Sequence, residues 1–340
     1  MTGSVAKINH FLGQSLRRAP APVQDVAREG AVRILGALGA TNEDCHQNQT
    51  QSVCWVSPPL PVPEGLSVDQ LESSFRTWSV NGDSPGALGP YVDDSMWRFL
   101  HTWGMVQHDV GTCLEIGSNP YFTTYLLEEH TRLDVTLSNY YGHAGEATET
   151  VSFVPPGAAN RIDLERRSQL FNVEEDAFPF DTDTFDIVLF CETIEHLLMD
   201  PVAALREIHR VLKPFGVIIL TTPNVARLSN VMTLVEGGNI YDPYSGYGPY
   251  GRHNREYNRD ELHRLLKFAG FDVDYSLTAD GHSWDPTTRA CFSAVAPTIG
   301  FRSNDLGQYI FVRAHATRPP QSRMPSFLYR SWPEGEIVPY

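Results

Sequence analysis

Residues 185–220 of this 340-residue chain read FDIVLFCETIEHLLMDPVAALREIHRVLKPFGVIIL. The apolar run Phe185–Cys191 predicts a buried strand, and Val217–Thr221 predicts a second one. Between them, Asp200 is suited to cap a helix that has Pro201 at its first position. The order strand, helix, strand predicts a parallel sheet with crossover helices.

The same pattern continues on both sides of this segment. Further strands are predicted at Thr112–Ile116, Asp134–Ser138, Phe271–Leu277 and Gln308–Ala314. Another helix is predicted to begin at Asn258, which has capping-box spacing to Glu261, and to end before Gly270. The fold class is therefore α/β. The strand expected between Asp134–Ser138 and Phe185–Cys191 has no clear apolar signature.

Three regions are predicted along the chain. Residues 1–105, with two short candidate helices and a proline-rich run, predict a helical or irregular accessory region. Residues 106–317 carry the alternating strands and helices of the α/β domain. Residues 318–340 have the composition of a proline-containing tail.

The bulk composition favours a soluble globular protein, because 41% of the residues are hydrophobic and 20% are charged. A formal net charge of −15 opposes attraction to nucleic acid or to anionic lipid, so neither is a favoured partner. The five cysteines show no metal-ligand spacing, and no segment has the length of a membrane span or a signal-peptide core. We expect a cytoplasmic location.

The segment CLEIGSNP, Cys113–Pro120, is the candidate cofactor loop. A strand that ends in an acid, turns through glycine and enters a helix places backbone amides beside a bound ligand. A tight strand-to-helix turn without a ligand is the alternative. The loop lacks the glycine pattern that a dinucleotide pyrophosphate requires, which argues against a nicotinamide oxidoreductase.

Three later segments strengthen the functional interpretation of this loop. They are FPFDTDTFDIVLFCETIEHL from Phe178, PVAALREIHRVLKPFGVIILTTPN from Pro201 and RDELHRLLKFAGF from Arg259. Together with the loop they closely resemble class I S-adenosylmethionine-dependent methyltransferases, in the group that includes ubiquinone-pathway O-methyltransferases and methyltransferases of glycan and polysaccharide clusters. The resemblance implies a Rossmann-like, mostly parallel sheet with an antiparallel last strand.

The resemblance also implies a set of residues that bind S-adenosylmethionine. They are Glu115, Gly117, Ser118, Asn119, Asn139, Glu174, Glu175 and Cys191. Asn139 departs from the family, because the aligned position normally carries an acid that binds the ribose hydroxyls, and an amide lacks that charge. Glu174 and Glu175 align with the position that contacts the adenine. Two alternatives are open: Asp176 contacts the adenine instead, or residues 174–175 form an acidic turn that faces solvent.

The motif CETIEH follows Phe185–Cys191 directly and is therefore expected at the carboxyl edge of the sheet, where α/β proteins bind ligands. On a helical turn Glu192, Glu195 and His196 would share one face. With His253 on a later loop, they resemble the magnesium site of plant small-RNA 2′-O-methyltransferases.

The resemblance implies that these four residues hold a divalent cation, magnesium by analogy, although manganese and zinc are open. Glu192, His196 and His253 are the candidate catalytic residues. Two alternatives are open. Glu192, Glu195 and His196 could be ordinary polar residues at the start of a helix. In an enzyme without a cation, His196 or His253 could act as a general base.

The segment EGGNIYDPYSGYGPYGRHNREY, residues 236–257, is predicted to be a long loop at the acceptor site. Its tyrosines suit the faces and edges of a sugar ring, so we expect O-methylation of a saccharide. The alternatives are a phenolic or quinone acceptor, or an inactive cofactor-binding scaffold. The loop could also pack on itself or form a subunit contact in a homo-oligomer.

Overall fold

The computed structural model describes residues 58–339 apart from 85, 143–146, 155–163, 285 and 334. Its α-helices are α1 Val68–Phe75, α2 Gly89–Met105, α3 Phe122–His130, α4 Pro201–Val211, α5 Leu228–Val235, α6 Arg259–Phe268 and α7 Pro286–Ile299. Short 3-10 turns occupy Ile194–His196, Pro249–Gly251 and Gly300–Asp305. No helix of these described residues is long and apolar enough to cross a membrane.

The main sheet has nine described strands in the order β1-β4-β5-β3-β2-β6-β7-β9-β8. The strands are β1 Ser79–Val80, β2 Val110–Ile116, β3 Arg132–Asn139, β4 Thr148–Val154, β5 Leu164–Leu170, β6 Phe185–Cys191, β7 Leu212–Pro223, β8 Phe271–Ala279 and β9 Tyr309–Ala316. Strands β5, β3, β2, β6 and β7 are parallel. Strand β9 is antiparallel to both β7 and β8. The predicted Rossmann-like sheet with an antiparallel last strand is confirmed.

The crossover between β6 and β7 follows from local sequence signals. Asp200 caps α4, because its Oδ1 accepts the backbone N–H of Ala203 at 3.0 Å, and Pro201 occupies the first turn. One apolar side of α4 is fully buried against the sheet, represented by Val202 and Leu205. The helix ends at Val211, so Leu212 belongs to β7 rather than to the helix.

The described residues before 106 pack on the α/β sheet. Phe75, Trp78 and Leu100 share an apolar cluster with Phe122 and Leu126 of α3. Strand β1 pairs antiparallel with β4 and so extends the sheet at one edge. The part of the predicted accessory region before residue 58 lies outside the described residues.

The described part of the predicted tail packs against α4. Strand β10, Met324–Pro325, pairs in parallel with β11, Ile337–Val338. The Tyr329 hydroxyl donates to Asp200 Oδ1 at 2.7 Å, beside the start of the helix. The tail therefore buttresses the helix that follows the CETIEH motif.

Candidate functional site

The candidate cofactor loop turns sharply where β2 ends. Gly117 has φ +72°, and a Cβ atom there would lie 2.7 Å from the Thr193 hydroxyl, so glycine is required. The Thr193 hydroxyl in turn donates to the Cys191 carbonyl at 2.9 Å. The loop and the end of β6 are thus in contact, and a side chain at position 117 would fill the space between them.

Glu115 belongs to this loop, at the end of β2, and is buried. Its Oε2 accepts a hydrogen bond from the Thr124 hydroxyl at 2.5 Å. Burial raises the pKa of Glu115 to about 8, since a buried carboxylate loses its hydration. The backbone N–H groups of Gly117 and Ser118 donate to the Ser138 carbonyl at 2.9 and 3.2 Å, which ties the loop to the end of β3.

Asn139, at the end of β3, uses both ends of its amide within the protein. Its Oδ1 accepts from the Asn119 backbone N–H at 3.1 Å and from the Ser118 hydroxyl at 3.3 Å. Its Nδ2 lies 3.0 to 3.1 Å from three oxygen acceptors: Tyr121 Oη, Glu149 Oε1 and Ser168 Oγ. With 5% of its surface exposed, Asn139 links the cofactor loop to β4 and β5.

We expect Asn139→Asp to destabilise the protein, although an acid at this position would match the family resemblance. The new carboxylate would replace a donor that lies 3.1 Å from Glu149 Oε1, and two carboxylates would then repel each other. The loss in free energy of unfolding should be about 1–3 kcal/mol, measured by urea denaturation. Asn258→Asp is the matched control, because Asp and Asn cap helices equally well. Tighter cofactor binding without lost stability would contradict this expectation.

Glu174 and Glu175, the predicted adenine-contacting residues, differ in their surroundings. The Glu174 carboxylate accepts three backbone N–H groups at 2.7 to 2.8 Å, those of Leu198, Met199 and Asp200. Glu175 is exposed. Glu174 therefore fixes the turn before α4.

Asn172, just after the end of β5, is a buried residue of the candidate site that the sequence did not reveal. Its Nδ2 donates to the Tyr250 hydroxyl at 2.9 Å, and its backbone N–H donates to Asp176 Oδ2 at 2.7 Å. Tyr250 in turn makes an edge contact with Tyr140, with ring centroids 5.3 Å apart. The loop of residues 236–257 is thus joined to the carboxyl ends of β3 and β5.

Glu195, His196 and His253 form a cluster of possible metal ligands. One ligand atom from each lies within 4.8 Å of the others. Glu195 is fully buried, and its Oε2 accepts from the Thr222 hydroxyl at 3.0 Å. Its Oε1 lies 4.0 Å from His196 Nε2 and has no hydrogen-bond partner among the described residues. A buried carboxylate oxygen without a donor is costly and suits a cation.

The cluster is held together by hydrogen bonds between two loops. The Asn254 backbone N–H donates to the Glu195 carbonyl at 2.7 Å, and Asn254 Nδ2 donates to the His196 carbonyl at 2.9 Å. His196 Nδ1 lies 2.9 Å from the Arg252 carbonyl, which only accepts, so Nδ1 carries the proton. The neutral ring therefore presents the lone pair of Nε2.

The three members of the cluster have different charge preferences. Burial, followed by the nearby His253, lowers the pKa of His196 to about 4, so its ring is neutral near physiological pH. Burial and the charge of Glu192 raise the pKa of Glu195. Burial disfavours the charged His253 ring, but the hydrogen bond to Glu256 and the Glu195 charge outweigh it and raise the pKa of His253 to about 9.

Glu192, the fourth predicted ligand, lies apart from this cluster. Glu192 Oε1 accepts from the Thr221 hydroxyl at 2.9 Å, whereas Glu195 accepts from Thr222. Neighbouring residues of a strand point to opposite faces, so the two carboxylates approach β7 from opposite sides. Glu192 has φ +49° and precedes the 3-10 turn Ile194–His196, so it does not share a helical face with Glu195.

Arg98 of α2 lies near Glu192 and was not identified from the sequence. Only 6% of Arg98 is exposed, and its Nη2 donates to the Tyr91 hydroxyl at 2.6 Å. Its guanidinium carbon lies 4.8 to 5.7 Å from the ring centres of Tyr91, Phe99 and Tyr309. Arg98 Nε lies 3.9 Å from Glu192 Oε2 and has no hydrogen-bond partner in the described part of the chain.

The tyrosines of residues 236–257 divide into exposed and packed members. Tyr241 and Tyr244 are 83% and 94% exposed, and Tyr247 is 41% exposed. Arg252 lies 4.8 Å from the ring centre of Tyr244. Tyr257 is buried in the core. The exposed rings therefore offer apolar faces on the loop that also carries His253.

The sheet order and the glycine turn after β2 define a Rossmann-like protein of the class I methyltransferase type. The chain belongs to the methyltransferase family: the family model described as "Methyltransferase domain" matches residues 95–276, more than half of its length. The protein is thus a methyltransferase that depends on S-adenosylmethionine. No curated protein matches the sequence.

Solved structures similar to this chain are remote from it in sequence. A Haloferax volcanii methyltransferase in complex with the Trm112 methyltransferase activator is 14% identical, with a TM-score of 0.41 over 64% of this chain and 88% of that chain. The Burkholderia thailandensis 1,6-didemethyltoxoflavin-N1-methyltransferase is 17% identical, with a TM-score of 0.40 over 77% and 93%. A Mesorhizobium loti S-adenosylmethionine-dependent methyltransferase is 13% identical, with a TM-score of 0.38 over 63% and 95%.

Proposed function

We propose that the protein is an O-methyltransferase that methylates a hydroxyl of a saccharide with the help of a divalent cation. Glu195, His196 and His253 would hold the cation. The observation that carries the proposal is the buried Glu195 Oε1, which has no donor among the described residues and lies beside two imidazoles. An exposed polar turn would not leave such an atom without a partner.

The donor set of this cluster fits a divalent cation. Carboxylate oxygen suits magnesium and manganese, and imidazole nitrogen suits manganese and zinc. We propose magnesium first, on the resemblance of the CETIEH motif. When bound, a divalent cation lowers the pKa of a coordinated hydroxyl and so supplies a better nucleophile at neutral pH.

The residues of the cluster also handle the proton of the acceptor hydroxyl. S-adenosylmethionine supplies the methyl group on a sulfonium, so that the acceptor oxygen gains a bond to carbon as the carbon–sulfur bond breaks. The hydroxyl proton must then leave the acceptor oxygen. The Arg252 carbonyl keeps His196 protonated at Nδ1, so Nε2 is the atom that accepts this proton if no cation is bound.

The cofactor site has a second feature that fits S-adenosylmethionine. The methionine part of the cofactor carries a carboxylate, and the buried Arg98 Nε, which has no hydrogen-bond partner among the described residues, suits it. We therefore propose Arg98 as a cofactor-binding residue, together with Glu115, Gly117, Ser118, Asn119 and Cys191. Asn139 and Glu174 bond to other protein groups, so we propose that they shape the site without touching the cofactor.

The exposed tyrosines support a saccharide as the acceptor class. Tyr241 and Tyr244 present nearly whole rings to solvent, and aromatic rings stack on the apolar faces of sugars. The same rings would also stack on a phenol or a quinone precursor, which is the second candidate. Neither candidate requires the acceptor to carry phosphate, in keeping with the net charge of −15.

The test is methyl transfer from labelled S-adenosylmethionine by the full chain to a panel of oligosaccharides and phenols. We expect transfer to saccharides, a loss of about tenfold or more in excess chelator, and recovery with magnesium or manganese. Transfer to phenols alone would refute the saccharide proposal, and unchanged turnover in chelator would refute the cation. Cofactor binding without transfer to any acceptor would indicate a scaffold.

A further inference from the structure

A second carboxylate, that of Glu256, contacts the ring of His253. Glu256 Oε1 is 3.1 Å from His253 Nδ1, and only 12% of the Glu256 side chain is exposed. The other oxygen of Glu256 accepts from Arg227 Nη1 at 2.5 Å. Glu256 is thus held between an imidazole and a guanidinium.

Arg227 connects this pair to the end of β7. Arg227 Nη1 also donates to the Asn224 carbonyl at 3.0 Å. The Asn224 side chain donates to the carbonyls of Asp305 and Gly307 at 2.7 and 2.9 Å, and Asn224 is 1% exposed. A continuous set of hydrogen bonds therefore runs from the rigid sheet to the ring of His253.

We propose that Glu256 is a positioning residue for the cation site, with Arg227 as its support. Glu256 accepts the Nδ1 proton of His253, which fixes the ring orientation and leaves Nε2 as the coordinating atom. Arg227 prevents Glu256 from turning toward solvent. The inference rests on the proposed cation at Glu195, His196 and His253.

The physical reason is that an imidazole coordinates well only when its ring is held in one orientation. A carboxylate partner also makes the ring more basic toward the cation, and losing such a partner typically weakens metal binding by about 10- to 100-fold. If Glu256 served only to pair Arg227, removal of its charge would affect stability and leave the metal affinity unchanged.

The experiment measures the dissociation constant of Mn²⁺ by titration calorimetry for the full chain and three variants. Glu256→Ala should weaken Mn²⁺ binding by about 10- to 100-fold. Glu256→Gln keeps an oxygen that accepts from Nδ1, so its affinity should stay within about fivefold of the wild type. Asp242→Asn is the matched control, because it also removes a carboxylate charge near His253, but one that accepts from the His253 backbone N–H, at 3.0 Å, and not from the ring among the described residues.

The outcomes separate the inference from the proposed function. Equal affinity for Mn²⁺ in the wild type and Glu256→Ala, with thermal unfolding confirming that both are folded, would overturn the inference alone. Equal loss in Glu256→Gln and Glu256→Ala would also overturn it, since the acceptor oxygen that glutamine keeps would then not be what holds the His253 ring. A wild type that binds no Mn²⁺ would overturn the cation proposal and this inference together.

Discussion

Arg98→Ala is expected to weaken the binding of S-adenosylhomocysteine by about 30-fold or more, because truncating a buried charged partner of a carboxylate typically costs roughly 2–5 kcal/mol. The guanidinium is enclosed by Tyr91, Phe99 and Tyr309, and its Nε has no hydrogen-bond partner in the described residues, with Glu192 Oε2 3.9 Å away. A ligand carboxylate would complete its hydrogen bonds. The measurement is titration calorimetry with S-adenosylhomocysteine, the demethylated product of the cofactor.

A ligand without the carboxylate makes this experiment specific. Methylthioadenosine keeps the adenosine part of the cofactor but lacks the amino-acid part, so Arg98→Ala should leave its affinity within about threefold. Arg98→Lys should lie between the wild type and the alanine variant, because lysine keeps the charge and loses the planar fork. Equal losses for both ligands would show that Arg98 only supports the fold.

The apolar core of the sheet could be predicted from the sequence because its signals are local. Strand β6 is buried over Ile187–Phe190, so its sequence is apolar there, and its bounds are those predicted. Helix α4 begins where Asp200 and Pro201 indicate, since capping depends on neighbouring residues alone. These elements needed no knowledge of distant contacts.

Strand β5, Leu164–Leu170, could not be predicted in the same way. Its sequence LERRSQL is polar or charged at five of seven positions, although the strand lies between β4 and β3. Arg166 forms an ion pair with Glu128 of α3, a residue 38 positions away. A strand whose polar side chains are satisfied by tertiary partners carries no apolar signature.

In the candidate site, too, the features set by neighbouring residues could be predicted and those set by distant contacts could not. Glu195 and His196 are adjacent in the chain and follow a parallel strand, so the sequence could place them at the carboxyl edge of the sheet. The face that each side chain takes was not predictable, because the positive φ of Glu192 turns it toward α2. Arg98 was missed because its burial beside Glu192, with no hydrogen-bond partner for Nε among the described residues, depends on tertiary contacts.

Glu195→Gln should weaken Mn²⁺ binding by about 100-fold or more, because it removes the negative charge from the cluster and leaves its shape intact. The glutamine oxygen still accepts from the Thr222 hydroxyl, which holds the side chain in place. Without cation, the free energy of unfolding should change by less than about 1 kcal/mol, because the substitution also removes a buried charge. Calorimetric titration and urea denaturation measure the two quantities.

Glu192→Gln is the matched comparison, since both glutamates belong to the CETIEH motif and both bond to a threonine of β7. Glu192 lies 3.9 Å from Arg98 of α2, and its charge raises the pKa of Glu195, so its substitution should change the Mn²⁺ affinity by less than about tenfold, well below the loss in Glu195→Gln. Equal losses in the two variants would mean that both carboxylates converge on one ion, as the motif resemblance implies. A loss in Glu195→Gln alone would assign Glu192 to the Arg98 side of the sheet, where it would act on the cofactor instead of the cation.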